Sequence, residues 1–186
     1  LHPNDDVNKS QSTNDTFPSA INIATVNKIK NELLPEINLL INSFNQKSKE
    51  WKDIVKIGRT HLQDAVPLTL GQECSAWRDQ IQTASTRINE SLSELYLLSL
   101  GGTAIGTGLN TPKNFDIEIT KEVSTLTNEP FISAPNKFAI MASHDGLVNV
   151  MSQIKLLAVA LLKAINDIRL LSCGPRAGFG EIELPM

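Results

Sequence analysis

Cysteine is scarce: the 186 residues hold two, Cys74 and Cys173, 99 positions apart and without CxxC spacing. That excludes a disulfide framework and a thiolate zinc site, and it fits a reducing compartment. Excess positive charge is also missing, because 17 Lys+Arg stand against 20 Asp+Glu for a net charge of −3, so nothing favours a nucleic acid partner. Long uncharged apolar runs are lacking too. The most apolar window, Leu156 to Ile165, contains Lys163 and follows Lys155, short of the roughly 18 apolar residues of a spanning segment, so a soluble protein with no membrane contact is expected. The opening Leu-His-Pro-Asn-Asp-Asp is neither basic nor apolar and is no signal peptide; it reads as a beginning cut from something longer. No Cys, His and carboxylate cluster has metal-ligand spacing, which gives no ground for a metal or an iron–sulfur cluster.

What is present is a chain able to bury a core. AVILMFWYC residues make up 41%, close to an ordinary soluble domain once glycine is added, with room for one large domain or two small ones. Apolar residues at 17, 21, 24, 29, 33, 37, 40, 41 and 44 step by threes and fours, predicting a helix over about Ser19 to Lys49. Asn14, Asp15 and Thr16 are capping types at its start, Pro18 suits a first turn, and Pro35 should kink it. A second stripe, Leu70, Cys74, Trp77, Ile81, Ala84, Ile88, Leu92 and Leu95, predicts a helix to about Leu98. A third joins Leu147, Met151, Ile154, Ala158, Leu161, Ile165 and Ile168, and Leu157, Leu162 and Leu171 widen it into a helix buried on more than one side. Asp116 to Thr127 has the composition of a short helix, and no alternating strand longer than a few residues stands out. The fold class is therefore all-α. Helices of about 30 residues are roughly 45 Å long against about 40 Å for a compact globule of this size. An elongated bundle of long helices, associating with copies of itself, is expected.

Three polar or glycine-rich segments interrupt the helices: residues 2–15, 58–65 and 101–110. The first reads either as a turn plus helix cap or as an anion site, with Ser12, Thr13 and Asn14 before a helix N-terminus whose amides and dipole favour a carboxylate. Neutral donors there would hold a dicarboxylate while leaving its charge free to shift in a transition state. His61, between Thr60 and Gln63 in a loop ahead of a helix, is either solvated and idle or a general acid–base group. His144, before Asp145, reads as a structural hydrogen-bonding residue. The glycine segment completes neither GxGxxG, which would need Gly at Thr111, nor the P-loop, which would need Lys at Thr107. It is either a mobile connection or a place where backbone closely approaches a small ligand.

HPNDDVNKSQSTNDTFP, GRTHLQDAVPLTLGQE, GGTAIGTGLN and GPRAGFGE, in this order along essentially the whole chain, resemble the class II fumarases of the fumarase/aspartase superfamily. The resemblance implies residues 1–186 as a central helical-bundle domain, a homotetramer with active sites shared by three subunits, and reversible anti addition of water to fumarate giving L-malate in the citric acid cycle. It implies no cofactor and a carbanion held as an aci-carboxylate. Carried onto this sequence, Ser12, Thr13, Asn14 and Thr60 would bind substrate carboxylates and His61 would handle the proton of the added water. His2, Pro3, Asn4 and Asp5 resemble a second dicarboxylate site. The family's GSSxMPxKxN loop, carrying the serine proposed as carbon-acid base, and its N-terminal domain lie outside this chain, so the isolated chain is expected to have little or no hydratase activity. Such enzymes belong to the bacterial cytoplasm, preferred here, or to mitochondria. Aspartate ammonia-lyase is the nearest alternative; it shares SQSTND and TAIGTGLNTP, but usually carries Gln at the position of His61 and lacks the HPND opening and the Ala134-Pro135-Asn136-Lys137-Phe138 segment. A non-catalytic helical interaction module, with the loops as mere caps, is the other.

Overall fold

A computed structural model describes residues 1–185, apart from the side chain of Asn4. The described residues contain six α-helices and two small sheets, and chain contacts divide them into two compact units. Unit 1 comprises Leu1–Leu34 and Ile88–Ser152; unit 2 comprises Pro35–Arg87 and Gln153–Met186.

In chain order, a π-helical turn over Pro3–Val7 precedes α1, Thr13–Lys28, which begins six residues earlier than the apolar periodicity suggests. Its N-cap is Ser12, in a capping box with Asp15, so Pro18 lies inside the helix rather than in its first turn. The polar residues 13–16 carry no stripe and hide the true start. A second π-helical turn, Ile29–Leu33, leads into α2, Leu34–Glu50. It lies directly ahead of Pro35, whose ring cannot donate and crowds the carbonyl four residues earlier; wider i→i+5 bonding accommodates it.

Although no alternating strand stands out in the sequence, unit 2 contains an antiparallel hairpin, β1 (Val55–Thr60) and β2 (Gln63–Thr69). Gly58, Pro67 and polar residues break any alternation, and Ile54, Val55 and Val66 are exposed, so no buried face marks these strands. α3 runs Leu70–Ser91 and closes in a 3-10 turn at Leu92–Glu94, short of the predicted Leu98, because Leu97–Leu98 forms β3. The predicted stripe from Leu70 to Leu95 is buried at every position. After α4 (Phe115–Thr127), β4 (Ile132–Ser133) pairs parallel with β3; α5 (Lys137–Ala142) and α6 (Asp145–Leu171) follow.

In unit 2 the core gathers Leu70, Cys74 and Trp77 of α3 with Ala164 and Leu171 of α6. Trp77 meets Phe44 edge-on with ring centroids 6.0 Å apart and donates Nε1–H to Asp167 Oδ2 at 2.9 Å. In unit 1 the buried set includes Val26, Ile88, Leu92, Leu98 and Phe131, with Tyr96 edge-on to Phe131 at 5.4 Å.

α6 corrects the predicted seam. It buries Val150, Leu157, Ala164 and Leu171, one heptad apart, and exposes Met151, Val159, Leu162 and Ile165. The helix is apolar nearly all round, so periodicity could not choose the inward side, and within this chain only one face is covered. By length and composition alone α6 is also apolar enough to cross a membrane, if the charges within it are tolerated. Its Lys163 ion-pairs with Asp167, the partner of Trp77.

Near the β3–β4 pair, Asp116 Oδ2 accepts from Lys137 Nζ and Ser133 Oγ, each at 2.7 Å. Lys137 above all, then Ser133, hold this carboxyl below its usual range against the opposing effect of burial. A depressed folded-state pKa gives stability that is complete above the ordinary aspartate value of about 3.9 and is lost as pH falls through the lower folded value. Asp116→Asn should therefore be less stable than the parent near neutral pH, with the gap closing below about pH 4, as urea unfolding across pH will read.

Candidate active site

The first predicted cluster lies in unit 1, on the opening turn of α1. Ser12 Oγ accepts from Asn14 N at 3.2 Å, and Ser12 N donates to Asp15 Oδ1 at 2.9 Å. Asp15 is fully buried, and its other oxygen, Oδ2, accepts from Gly101 N and Thr103 N, both at 3.0 Å. Its backbone carbonyl takes Ser19 Oγ at 2.7 Å and Ser99 Oγ at 2.9 Å. One carboxylate thus ties the helix start to the glycine segment. Gly101 has φ +83°, and a Cβ there would come within 2.7 Å of Asp116 Cα, so glycine is required at this join.

Asn14 Nδ2 donates to Ala104 O at 2.8 Å. Part of the predicted ligand set is therefore committed to structure: the Ser12 hydroxyl as a cap and one Asn14 N–H as a tie. The Thr13 hydroxyl, the second Asn14 Nδ2–H and the Ser12 O–H proton, whose oxygen only accepts in the cap, retain donor capacity. Both residues line a cavity of about 450 Å³ with Phe17, Ile105, Phe138 and His144. His144, read from sequence as structural, is exposed and faces this cavity.

Thr60 and His61 lie in unit 2 at the end of the hairpin. His61 and Leu62 form its two-residue turn with φ of 53° and 61°, the left-handed pair that a tight hairpin of this twist demands. Asparagine and glycine usually fill such turns, and an L side chain there costs about 1–2 kcal/mol. The strain falls at the residue that carries the candidate chemistry. Both side chains are exposed, above a groove of about 510 Å³ that Lys56, Arg59, Lys163 and Asp167 also line. The nearby cations are engaged: Lys56 with Glu73 and Glu181, Arg59 with Glu181, Lys163 with Asp167. Thr60 and His61 stand exposed at this end outside those ion pairs.

The third predicted group sits at the N-terminal π-helical turn. His2 Nδ1 accepts from Asp5 N at 3.3 Å and lies 3.2 Å from Asp5 Oδ2, while His2 N donates to Asp6 Oδ2 at 2.7 Å. Pro3 opens the turn. The side chain of Asn4 lies outside the described residues. Two carboxylates stand beside His2 here, so its ring already has an acidic neighbour.

A lyase family profile matches residues 1–186. The chain belongs to this lyase family. It is 65% identical over 185 residues to a class II fumarate hydratase of Prochlorococcus marinus, and 53% identical to that of Rickettsia bellii. Both alignments take in 100% of this chain and 40% of the relative, so the chain spans about two fifths of the curated relatives it matches. Among solved structures, the recombinant class II fumarase of Schistosoma mansoni superposes with TM-score 0.92 at 41% identity, covering 96% of this chain and 40% of that one. A fumarate lyase:delta crystallin from Brucella melitensis, bound to cobalt, gives 0.94 at 39% identity, covering 100% and 40%.

Against this lyase background, the residues that sequence reasoning passed over are the supports. Asp15 was visible as a capping type, and its spacing from Ser12 is the capping-box signal, but its bonds to Gly101 and Thr103 span more than 80 residues. The Lys137 of the APNKF segment serves Asp116, and Asn136 caps α5 through Ala139 N at 3.2 Å. Asp15→Ala should leave three backbone amides without an acceptor and cost about 3 kcal/mol or more in denaturant unfolding. Leu62→Gly, relieving the left-handed side chain at an exposed position, should raise stability by about 1 kcal/mol in the same assay.

Proposed function

We propose that this chain is the part of a class II fumarate hydratase that carries the acid–base histidine and part of the substrate-binding set. The reaction is the reversible hydration of fumarate to L-malate. The observation that carries the reading is 65% identity to a class II fumarate hydratase along the whole of this chain; the strained exposed His61 beside Thr60 supports it. In the hydration direction water attacks one alkene carbon, its proton passes to the His61 imidazole, and the π electron pair moves onto the neighbouring carbon and its carboxylate. A second group then protonates that carbon, which completes the addition of H and OH. Ser12, Thr13, Asn14 and Thr60 bind the substrate carboxylates as neutral donors, and His2, Pro3, Asn4 and Asp5 form a second dicarboxylate site. The working form is a homotetramer in the cytoplasm, and the apolar outer face of α6, with Met151, Val159, Leu162 and Ile165 exposed, supports association.

The test is one proton NMR experiment on the longest natural form of the protein, with fumarate and ammonium in deuterated buffer. Malate carrying one methylene deuteron is expected. Aspartate would move the assignment to ammonia addition, and untouched fumarate with a folded oligomer would sink the enzymatic reading. In the same protein, His61→Asn should lower kcat by about 10²- to 10⁴-fold while dicarboxylate binding changes far less. Equal losses in the two would assign His61 to positioning instead.

A further inference from the structure

The His61–Leu62 turn holds two L residues at positive φ. Such a conformation persists only where its surroundings over-determine it. Those surroundings, in unit 2, include the segment that follows α6. Arg59, the residue before Thr60, places its Cζ over the Phe179 ring, 3.9 Å from the centroid, and donates to Glu181 Oε1. Lys56 Nζ stands 2.6 Å from the other oxygen of the same carboxylate. These side chains are largely shielded, at 17%, 10% and 18% exposure for Arg59, Lys56 and Glu181.

Positions three apart on a regular strand point to opposite faces, so Lys56 and Arg59 should not reach one carboxylate. A shift of register between Ile57 and Arg59 falls between them. Gly58 occupies that point, where a Cβ would stand 2.6 Å from Val66 O, so the irregularity depends on glycine. Glu181 is itself anchored: its N–H donates to Leu171 O at 2.9 Å, and Leu171 is a core residue at the end of α6.

We infer that Glu181 is a positioning residue, which grips Arg59 and Lys56 together and so sets where Thr60 and His61 stand. The carboxylate joins the segment after α6 to the bulged strand, and the Phe179 ring covers the guanidinium. The kinetic consequence rests on the hydratase reading above; the structural one does not.

Glu181→Gln and Glu181→Asp, made in the longest natural form of the protein, separate the two. Amide hydrogen exchange of the hairpin ladder between Arg59 and Asp64 should accelerate about tenfold or more in Glu181→Gln, while the α3 amides of Ile81 and Ile88 keep the parent rate. With fumarate, kcat should fall about tenfold or more at nearly constant KM, and Glu181→Asp should recover part of both effects. Unchanged ladder exchange in folded Glu181→Gln overturns the inference, as does a loss confined to KM. If the parent does not turn over fumarate, the hydratase reading fails while the exchange measurement still decides the positioning role. Should Glu181→Gln fail to fold, Arg59→Lys keeps the charge but loses the guanidinium that donates to Glu181 and lies over Phe179, and ladder exchange unchanged in that variant equally overturns it.

Discussion

The Asp15 carboxylate is the constraint around which unit 1 is organised. A buried carboxylate must have its lone pairs met, and here they are met by Ser12 N, Gly101 N and Thr103 N. Those three bonds decide where α1 begins, how the glycine segment folds back and which groups of residues 12–14 remain available. Ser99 and Ser19, both buried, add their hydroxyls to the same residue's carbonyl. Neutral hydroxyls and amides surround it.

Unit 2 meets a different problem by a comparable device. The hairpin exposes Val55, Leu62 and Val66 and buries little of its own surface. Its geometry is held by charge: Lys56 and Arg59 converge on Glu181, and Lys56 also reaches Glu73. Burial works to raise the Glu181 pKa, but the bonds from Arg59 and Lys56 prevail and hold it below its usual range. The Glu181 carboxylate therefore stays ionised near neutral pH, and Lys56 and Arg59 remain occupied by it rather than competing for an anionic ligand.

The stripe on α3 and the turn that closes it was legible residue by residue, from Leu70 to Leu95, because one continuous face is buried and mostly polar residues occupy the rest. The α6 stripe was only half legible. Ile154, Leu161 and Ile168 are half-buried as read, but the fully buried row is Val150, Leu157, Ala164 and Leu171, and Met151 and Ile165 face outward. When a helix is apolar on several sides, packing selects among faces that the pattern leaves equivalent. The hairpin escaped for the opposite reason: with no buried face there is no alternation to read. His61, read as a loop residue, is instead the tip of a two-stranded turn.

By itself the sequence determined the helical class, the α3 core face, the polar identity of the three interrupting segments and the family resemblance, all of which live in short-range periodicity and in contiguous motifs. Only the tertiary structure decided that Asp15 binds the glycine segment, that Lys56 and Arg59 share Glu181, and that His61 stands in a left-handed turn. The physical reason is range. Burial patterns repeat every three or four residues and leave their mark along the chain, whereas a carboxylate satisfied by groups more than 80 positions away leaves none until the backbone brings them into bonding distance.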